Sequence, residues 1–156
     1  GVHLTDLMIW LFGPVDKVFA STAKRALKFK TGDVVTASLQ HSSGLNSQIT
    51  AILKTPHYQR VTIWGENGWV ELVDSSHPDT PGPSFMKMVM NDGAIKEEKY
   101  EWTDTVSANI HNFIDSIQGQ SKYLFTDVEK FQNISVLEAI YKSSLSKQNE
   151  KVESFN

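Results

Sequence analysis

Between Val15 and Trp102 the sequence is strand-patterned almost throughout, and the turns between strands are too short for parallel pairing. Parallel neighbours need crossovers of about a dozen residues or more, whereas adjacent antiparallel strands close through a few. Thr31-Gly32-Asp33, Ser42-Ser43-Gly44, Gly65-Glu66-Asn67-Gly68 and Asn91-Asp92-Gly93 therefore read as hairpin turns, with glycine where positive φ is needed. The segments Val15–Phe29, Val34–His41 and Leu45–Lys54 precede a hairpin of Arg60–Trp64 with Trp69–Val73. A last hairpin joins Phe85–Met90 to Ile95–Trp102, and the Pro/Ser-rich stretch Asp74–Ser84 reads as an irregular loop.

Helices bracket this region. Leu4, Leu7, Met8 and Leu11 fall on one helical face, and Gly13-Pro14 ends the segment. Val106, Ile110, Phe113, Ile114 and Ile117 form a second stripe, terminated near Gly119. Thr126-Asp127-Val128-Glu129 is a capping-box signature, after which Phe131, Leu137, Ile140 and Tyr141 are expected to face inward. The polar tail from Gln148 reads as frayed. Strands grouped together with helices at both ends predict an α+β domain: an open, mostly antiparallel sheet with helices packed on one face.

Composition narrows the function. The 156 residues suit one domain, and a formal net charge of −3 opposes a nucleic-acid surface. The absence of cysteine rules out disulfides and thiolate chemistry and agrees with a cytoplasmic setting. No apolar run is long enough to span a membrane. The sequence holds no glycine-rich phosphate loop and no His/Asp/Glu cluster with metal-ligand spacing, so neither a bound nucleotide nor a metal is expected on this chain.

Five histidines are scattered at 3, 41, 57, 77 and 111. His3 stands at the start of the first helix with Asp6 one turn later. A histidine there suits general acid–base work, or simply caps and packs. His41 shares the parity of Leu39 and reads as a packed histidine, and His111 as structural. His77 lies in the irregular loop without a sequence signal of its own.

The segment Gly1-Val2-His3-Leu4-Thr5-Asp6-Leu7 followed by Trp10-Leu11-Phe12-Gly13 resembles the "G-x-H-x-x-D … W-L-x-G" motif of the glucose–fructose oxidoreductase/inositol dehydrogenase/rhizopine-catabolism (Gfo/Idh/MocA) family. Ile63–Glu71 is similar to that family's "G-x-x-G-x-x-E" hairpin, Asn109–Gly119 to its "N-x-x-x-F-x-x-x-I-x-G" helix, and Glu138–Ser144 to its closing "E-A-I-Y-x-S" helix. The resemblance implies a C-terminal substrate-binding and oligomerisation domain of the dihydrodipicolinate reductase/glyceraldehyde-3-phosphate dehydrogenase C-terminal type, spanning 1–156. It implies a separate N-terminal Rossmann domain that binds NAD or NADP and carries a lysine. Hydride transfer on a sugar, polyol or related hydroxy compound is the implied chemistry, so the chain by itself is expected to be inactive. His3 matches the histidine of the family's Asp-x-x-x-His pair, whose aspartate would precede Gly1. Asp6 would orient His3 or touch a substrate hydroxyl, or else serve only as a first-turn acid. His57 and Tyr58 correspond to substrate contacts, with an exposed turn as the plain alternative.

Parity adds one inference. Val61, Ile63, Val70 and Leu72 share a covered face, while Trp64 and Trp69 pair on the opposite one beside Thr62 and Glu71. The neighbouring strands are expected to add Thr36, Ser38, Gln40, Gln48 and Thr50 to that same face. Paired tryptophans on a flat polar face suit a homo-oligomer interface, dimeric in the simplest case. The alternative is a solvated cross-strand pair. A non-catalytic dimerising module is the rival to the oxidoreductase reading. The Met86, Met88 and Met90 stripe reads as packing.

Overall fold

A computed structural model describes residues 1–28, 32–77 and 79–154. The chain forms two compact units, one of Gly1–Lys54 with Phe125–Asn156 and one of Thr55–Leu124. Each unit contains a four-stranded antiparallel sheet. The α+β class and the antiparallel pairing are as expected, but the strands are divided between two sheets, so Thr36, Ser38 and Gln40 of the first do not share a sheet with Trp64 and Trp69 of the second.

The first unit comprises helix α1 (Val2–Phe12), strands β1 (Val15–Ala23), β2 (Val34–His41) and β3 (Asn46–Ile52), helix α3 (Asp127–Ser146) and strand β8 (Glu150–Lys151). Its sheet order is β3-β2-β1-β8. The register places Val18 opposite Leu39 and Ala20 opposite Ala37, so these residues share one face, which α3 covers. Val15, Val18, Ala20, Ala37, Leu39, Ile49, Val136, Ala139 and Val152 make the core. On the other face Thr36 pairs with Thr50 and Ser38 with Gln48, as strand parity requires.

Four details depart from the sequence reading, each for a local reason. β1 stops at Ala23 rather than reaching Phe29, because the amides of Arg25, Ala26 and Leu27 donate to the Asp33 carboxylate instead of a strand ladder. Phe29 and Thr31, the expected strand end and turn opener, lie outside the described residues. In α1 the buried positions are Thr5, Met8 and Ile9, while Leu4, Leu7 and Leu11 are half-buried.

The inward face of α3 carries Gln132, Asn133, Ser135, Val136, Ala139 and Ser143, whereas Phe131 and Tyr141 are exposed and Leu137 and Ile140 half-buried. Small and hydrogen-bonded side chains let this helix lie close on β1. The Gln132 amide donates to the Val15 carbonyl at 3.0 Å, and the Ser143 hydroxyl accepts from the Ala20 amide at 2.8 Å. The tail, expected to fray from Gln148, is held in place as far as Val152. Lys147 turns the chain in the left-handed region, Ser143 donates to the Gln148 carbonyl, and β8 pairs with β1 while Val152 is buried.

The second unit holds β4 (Gln59–Gly65), β5 (Gly68–Asp74), β6 (Ser84–Met90), β7 (Ile95–Tyr100) and α2 (Thr105–Ile117), with its strands in sequence order. Trp64 pairs with Trp69 as expected, and the pair Gly65–Gly68 closes the hairpin behind it. Gly68 has φ +149°, and a Cβ there would overlap the Val89 carbonyl of β6, so only glycine fits. Val61, Ile63, Val70, Leu72, Met86 and Met88 share a face and are half-buried. The apolar stripe of α2, from Val106 to Ile117, is exposed.

Candidate functional site

In the first unit His3 sits on the first turn of α1, exposed to solvent, and Asp6 stands half-buried one turn on. Among the described residues no hydrogen bond or ion pair joins them, so Asp6 does not orient His3 in this structure. The turn that carries His3 is held from behind. The Thr5 hydroxyl donates to Asn133 Oδ1 at 2.5 Å, and the Asn133 amide reaches the Val2 carbonyl at 3.4 Å. Both side chains are buried, where an unmade bond is costly, so α3 fixes the backbone on each side of His3.

His41 is buried as expected, with Nδ1 2.8 Å from the Gly13 carbonyl and Nε2 2.9 Å from Ser47 Oγ. Phe12 meets its ring edge-on. Both ring nitrogens are engaged, which makes it a structural clamp between the end of α1 and the sheet. His111 bonds the Ser107 carbonyl of its own helix at 2.8 Å.

In the second unit His57 and Tyr58 precede β4 and are exposed. The structure gives His57 a neighbour that the sequence did not suggest. Its ring lies edge-on to His77, with centroids 6.0 Å apart, and His77 Nδ1 is 2.5 Å from Asp79 Oδ1. The hydrogen bond from His77 is the main reason the Asp79 carboxyl is held below the usual carboxylate range. The one sequence hint was the His-x-Asp spacing inside the loop.

The loop is irregular as expected, and hydrogen bonds among its described residues hold it. Ser75 donates from both its amide and its hydroxyl to the Pro83 carbonyl, and the Ser76 hydroxyl donates to the Thr80 carbonyl at 2.8 Å. The Ser84 hydroxyl donates to Asp74 across the strand ends. Beside it a cleft of about 280 Å³ is lined by Asp74, Ser76, His77, Gly82, Ser84, Glu101, Trp102, Thr103 and Thr105.

The N-termini of α2 and α3 offer no ready phosphate cradle. Asp104 caps α2 by accepting from the Ser107 amide, and Thr126 and Glu129 close a full capping box on α3. An acid at each of these ends opposes a second anion. No group of three or more His, Asp or Glu suited to a metal occurs among the described residues, and no helix is long and apolar enough to cross a membrane.

Residues 1–153 match the C-terminal alpha/beta domain of the Gfo/Idh/MocA oxidoreductase family. The chain belongs to that family. No curated protein matches it. This Gfo/Idh/MocA domain is similar in fold to a candidate NADPH-dependent oxidoreductase of Desulfitobacterium hafniense (17% identity, TM-score 0.82, covering 97% of this chain and 46% of that one). It is similar to the WlbA dehydrogenase of Bordetella pertussis, solved with NADH and UDP-GlcNAcA (23%, TM-score 0.71, 99% and 44%). An Agrobacterium radiobacter oxidoreductase, solved with NAD+, L-tartaric acid and magnesium, is a third (17%, TM-score 0.79, 97% and 47%). The chain thus spans about half the length of the solved proteins it matches.

Proposed function

We propose that this domain forms the substrate-side wall of an NAD(P)-dependent oxidoreductase that transfers hydride to or from a sugar, polyol or related hydroxy compound. The observation that carries the reading is the family match over nearly the whole chain, with His3 exposed on a turn that α3 holds in place. The domain's own residues do not fit a nucleotide: the sequence lacks a phosphate loop, and α2 and α3 are capped by their own acids. The nicotinamide, which would accept or give the hydride, is assigned to a separate nucleotide-binding domain. His3 accepts the hydroxyl proton of the substrate or returns it, and Asp6 offers a hydrogen bond to a neighbouring hydroxyl. In the second unit, taken by itself, His57 and Tyr58 offer exposed hydrogen-bonding groups for a hydroxylated ligand. A cytoplasmic location, where nicotinamide is available, belongs to the same proposal.

The test joins the domain to a family nucleotide-binding domain and follows NAD(P)H. His3→Ala is expected to cut turnover on the accepted sugar or polyol by about 10²–10⁴-fold, as loss of a general acid–base does. Turnover unchanged by that substitution overturns the role of His3. The 156-residue chain alone is expected not to bind NAD(P)H. Micromolar binding to it overturns the division of labour.

A second reading has its own observation. Trp64 is 76% exposed on a sheet face that also carries Trp69, Thr62 and Glu71. A tryptophan left in water on a flat face suits association with a second copy of the chain, and the open face with Thr36, Ser38 and Gln40 offers a polar counterpart in the first unit. On this reading the domain assembles a homo-oligomer, with or without redox chemistry. Light scattering at high concentration checks it: a monomer removes the interface and leaves the oxidoreductase reading standing.

A further inference from the structure

Helix α1 is apolar on every side. Only His3, Thr5 and Asp6 of Val2–Phe12 are polar. A helix of this kind is stable when it is covered on more than one side, since it keeps no polar face for water. Among the described residues of its unit, full burial is confined to one side of α1. Thr5, Met8 and Ile9 are buried there, and α3 and β3 are the elements packed on the helix. At 3.6 residues per turn the opposite side carries His3, Leu7 and Trp10, with Asp6 at its border. Asp6 and Leu7 are half-buried, and Trp10 is 76% exposed. We infer that this side of α1 is the docking surface for the nucleotide-binding domain, with the Trp10 indole as its anchor.

The inference rests on the oxidoreductase reading, and geometry chooses the occupant. Hydride transfer requires the nicotinamide within roughly 3–3.5 Å of the substrate carbon whose oxygen His3 serves. The body that carries the nicotinamide therefore stands over the His3 side of α1. That side runs on to Trp10, roughly 10 Å further along the axis at a rise of about 1.5 Å per residue. A domain of about 100 residues has a radius of gyration of about 13 Å, so one seated at His3 reaches Trp10 as well. Docking there also encloses His3, which stands in water in this domain by itself.

Chemistry and rigidity agree. The helix carries no lysine or arginine, so the surface beside His3 is apolar apart from Asp6. Tryptophan is enriched among the anchors of interfaces, and its indole N–H takes one acceptor on the partner. The surface is also fixed in advance. Thr5 and Asn133 tie the first turn to α3, the Gly13 amide closes the last turn on the Ile9 carbonyl, and His41 engages the Gly13 carbonyl. A fixed surface lowers the ordering cost of association.

The test labels the tryptophans with fluorotryptophan and reads by fluorine NMR how each resonance shifts between light and heavy water. The 156-residue chain is compared with the joined protein of the His3 test, with NADH bound. Trp64 is the control, because it is also 76% exposed and belongs to the other unit. In the chain by itself both resonances are expected to shift. In the joined protein the Trp10 shift is expected to vanish and the Trp64 shift to stay as it was. Trp10→Ser is expected to lower kcat/KM of the joined protein by up to about 30-fold, the scale of one interface hot spot. Trp10→Phe should keep most of it. Neither substitution should move the unfolding midpoint of the 156-residue chain, where the indole is in water. A structural role inside the unit would move it.

A Trp10 as open to water in the active joined protein as in the chain by itself overturns the docking surface, and so does full turnover by Trp10→Ser. A Trp10 resonance that becomes shielded in the chain by itself as concentration rises also overturns it, by making a second copy the occupant. The two proposals fail separately. His3-dependent turnover with an open Trp10 sinks the docking surface alone. A shielded Trp10 with no His3-dependent turnover sinks the oxidoreductase reading alone.

Discussion

The two units solve the same problem, a four-stranded antiparallel sheet, in opposite ways. The first closes a core between sheet and helices and buries Thr5, His41, Gln132, Asn133 and Ser143 inside it, each with a hydrogen-bond partner. In the second no described residue between 55 and 124 is fully buried. Its order comes from strand register, tight turns and cross-strand pairs, with Lys87 against Glu97 and Trp64 against Trp69. The difference separates duties. A closed core holds a backbone such as the His3 turn to a fixed geometry, whereas a sheet with accessible faces and a shaped loop presents surface to ligands or partners.

Substitutions can break that contrast. The largest effect is expected for Leu39→Ala, which empties a fully buried site and should cost about 2–5 kcal/mol in denaturant unfolding. Leu72→Ala, half-buried on the other sheet, should cost about 1 kcal/mol. Equal losses would mean the second sheet is closed as tightly as the first. Gly68→Ala forces a side chain into positive φ against Val89 and should cost about 1–3 kcal/mol, read by the same unfolding curves. A silent Gly68→Ala would show that the β4–β5 turn can be remade.

Smaller effects test the helices and faces. Thr126→Ala removes the cap of α3 and should lower stability by about 1 kcal/mol. Trp64→Thr should change stability by less than about 1 kcal/mol, while abolishing any concentration-dependent association seen by light scattering. Last is a pH effect. Backbone amides, that of Arg25 foremost, hold the Asp33 carboxyl below its ordinary value of 3.8. Because the folded value is the lower, its contribution is full above the unfolded value and fades as pH falls through the folded one. The stability gap between wild type and Asp33→Asn should therefore shrink in acid. A gap constant down to strongly acidic pH would discount the carboxylate.

Much of this contrast could be read from sequence where the signal was local. Hairpin turns, the Trp64–Trp69 pairing and the Thr126 capping box depend on neighbouring residues and were legible. What escaped depended on long-range partners. Thr5 is buried because Asn133, on a distant helix, accepts its hydrogen bond, and periodicity alone favoured the leucines beside it. The polar residues of α3 look like a solvated face until β1 supplies their partners. β8 is two residues long, too short to carry a pattern. The candidate site was legible only in part: His3 and His57 came from motif resemblance, but the His77–Asp79 pair needed the folded loop.

The first unit is discontinuous: α1 and three strands of its sheet come from residues 1–54, and its covering helix and β8 from beyond residue 125. On a ribosome, strands β1 to β3 emerge well before α3 can cover them, whereas the second unit is contiguous and can assemble in the interval. Of the two units, the more tightly closed is thus the later that synthesis can complete. Until α3 arrives, Val18, Ala37 and Leu39 form an uncovered apolar face on the nascent chain, a place for chaperones or for misassociation.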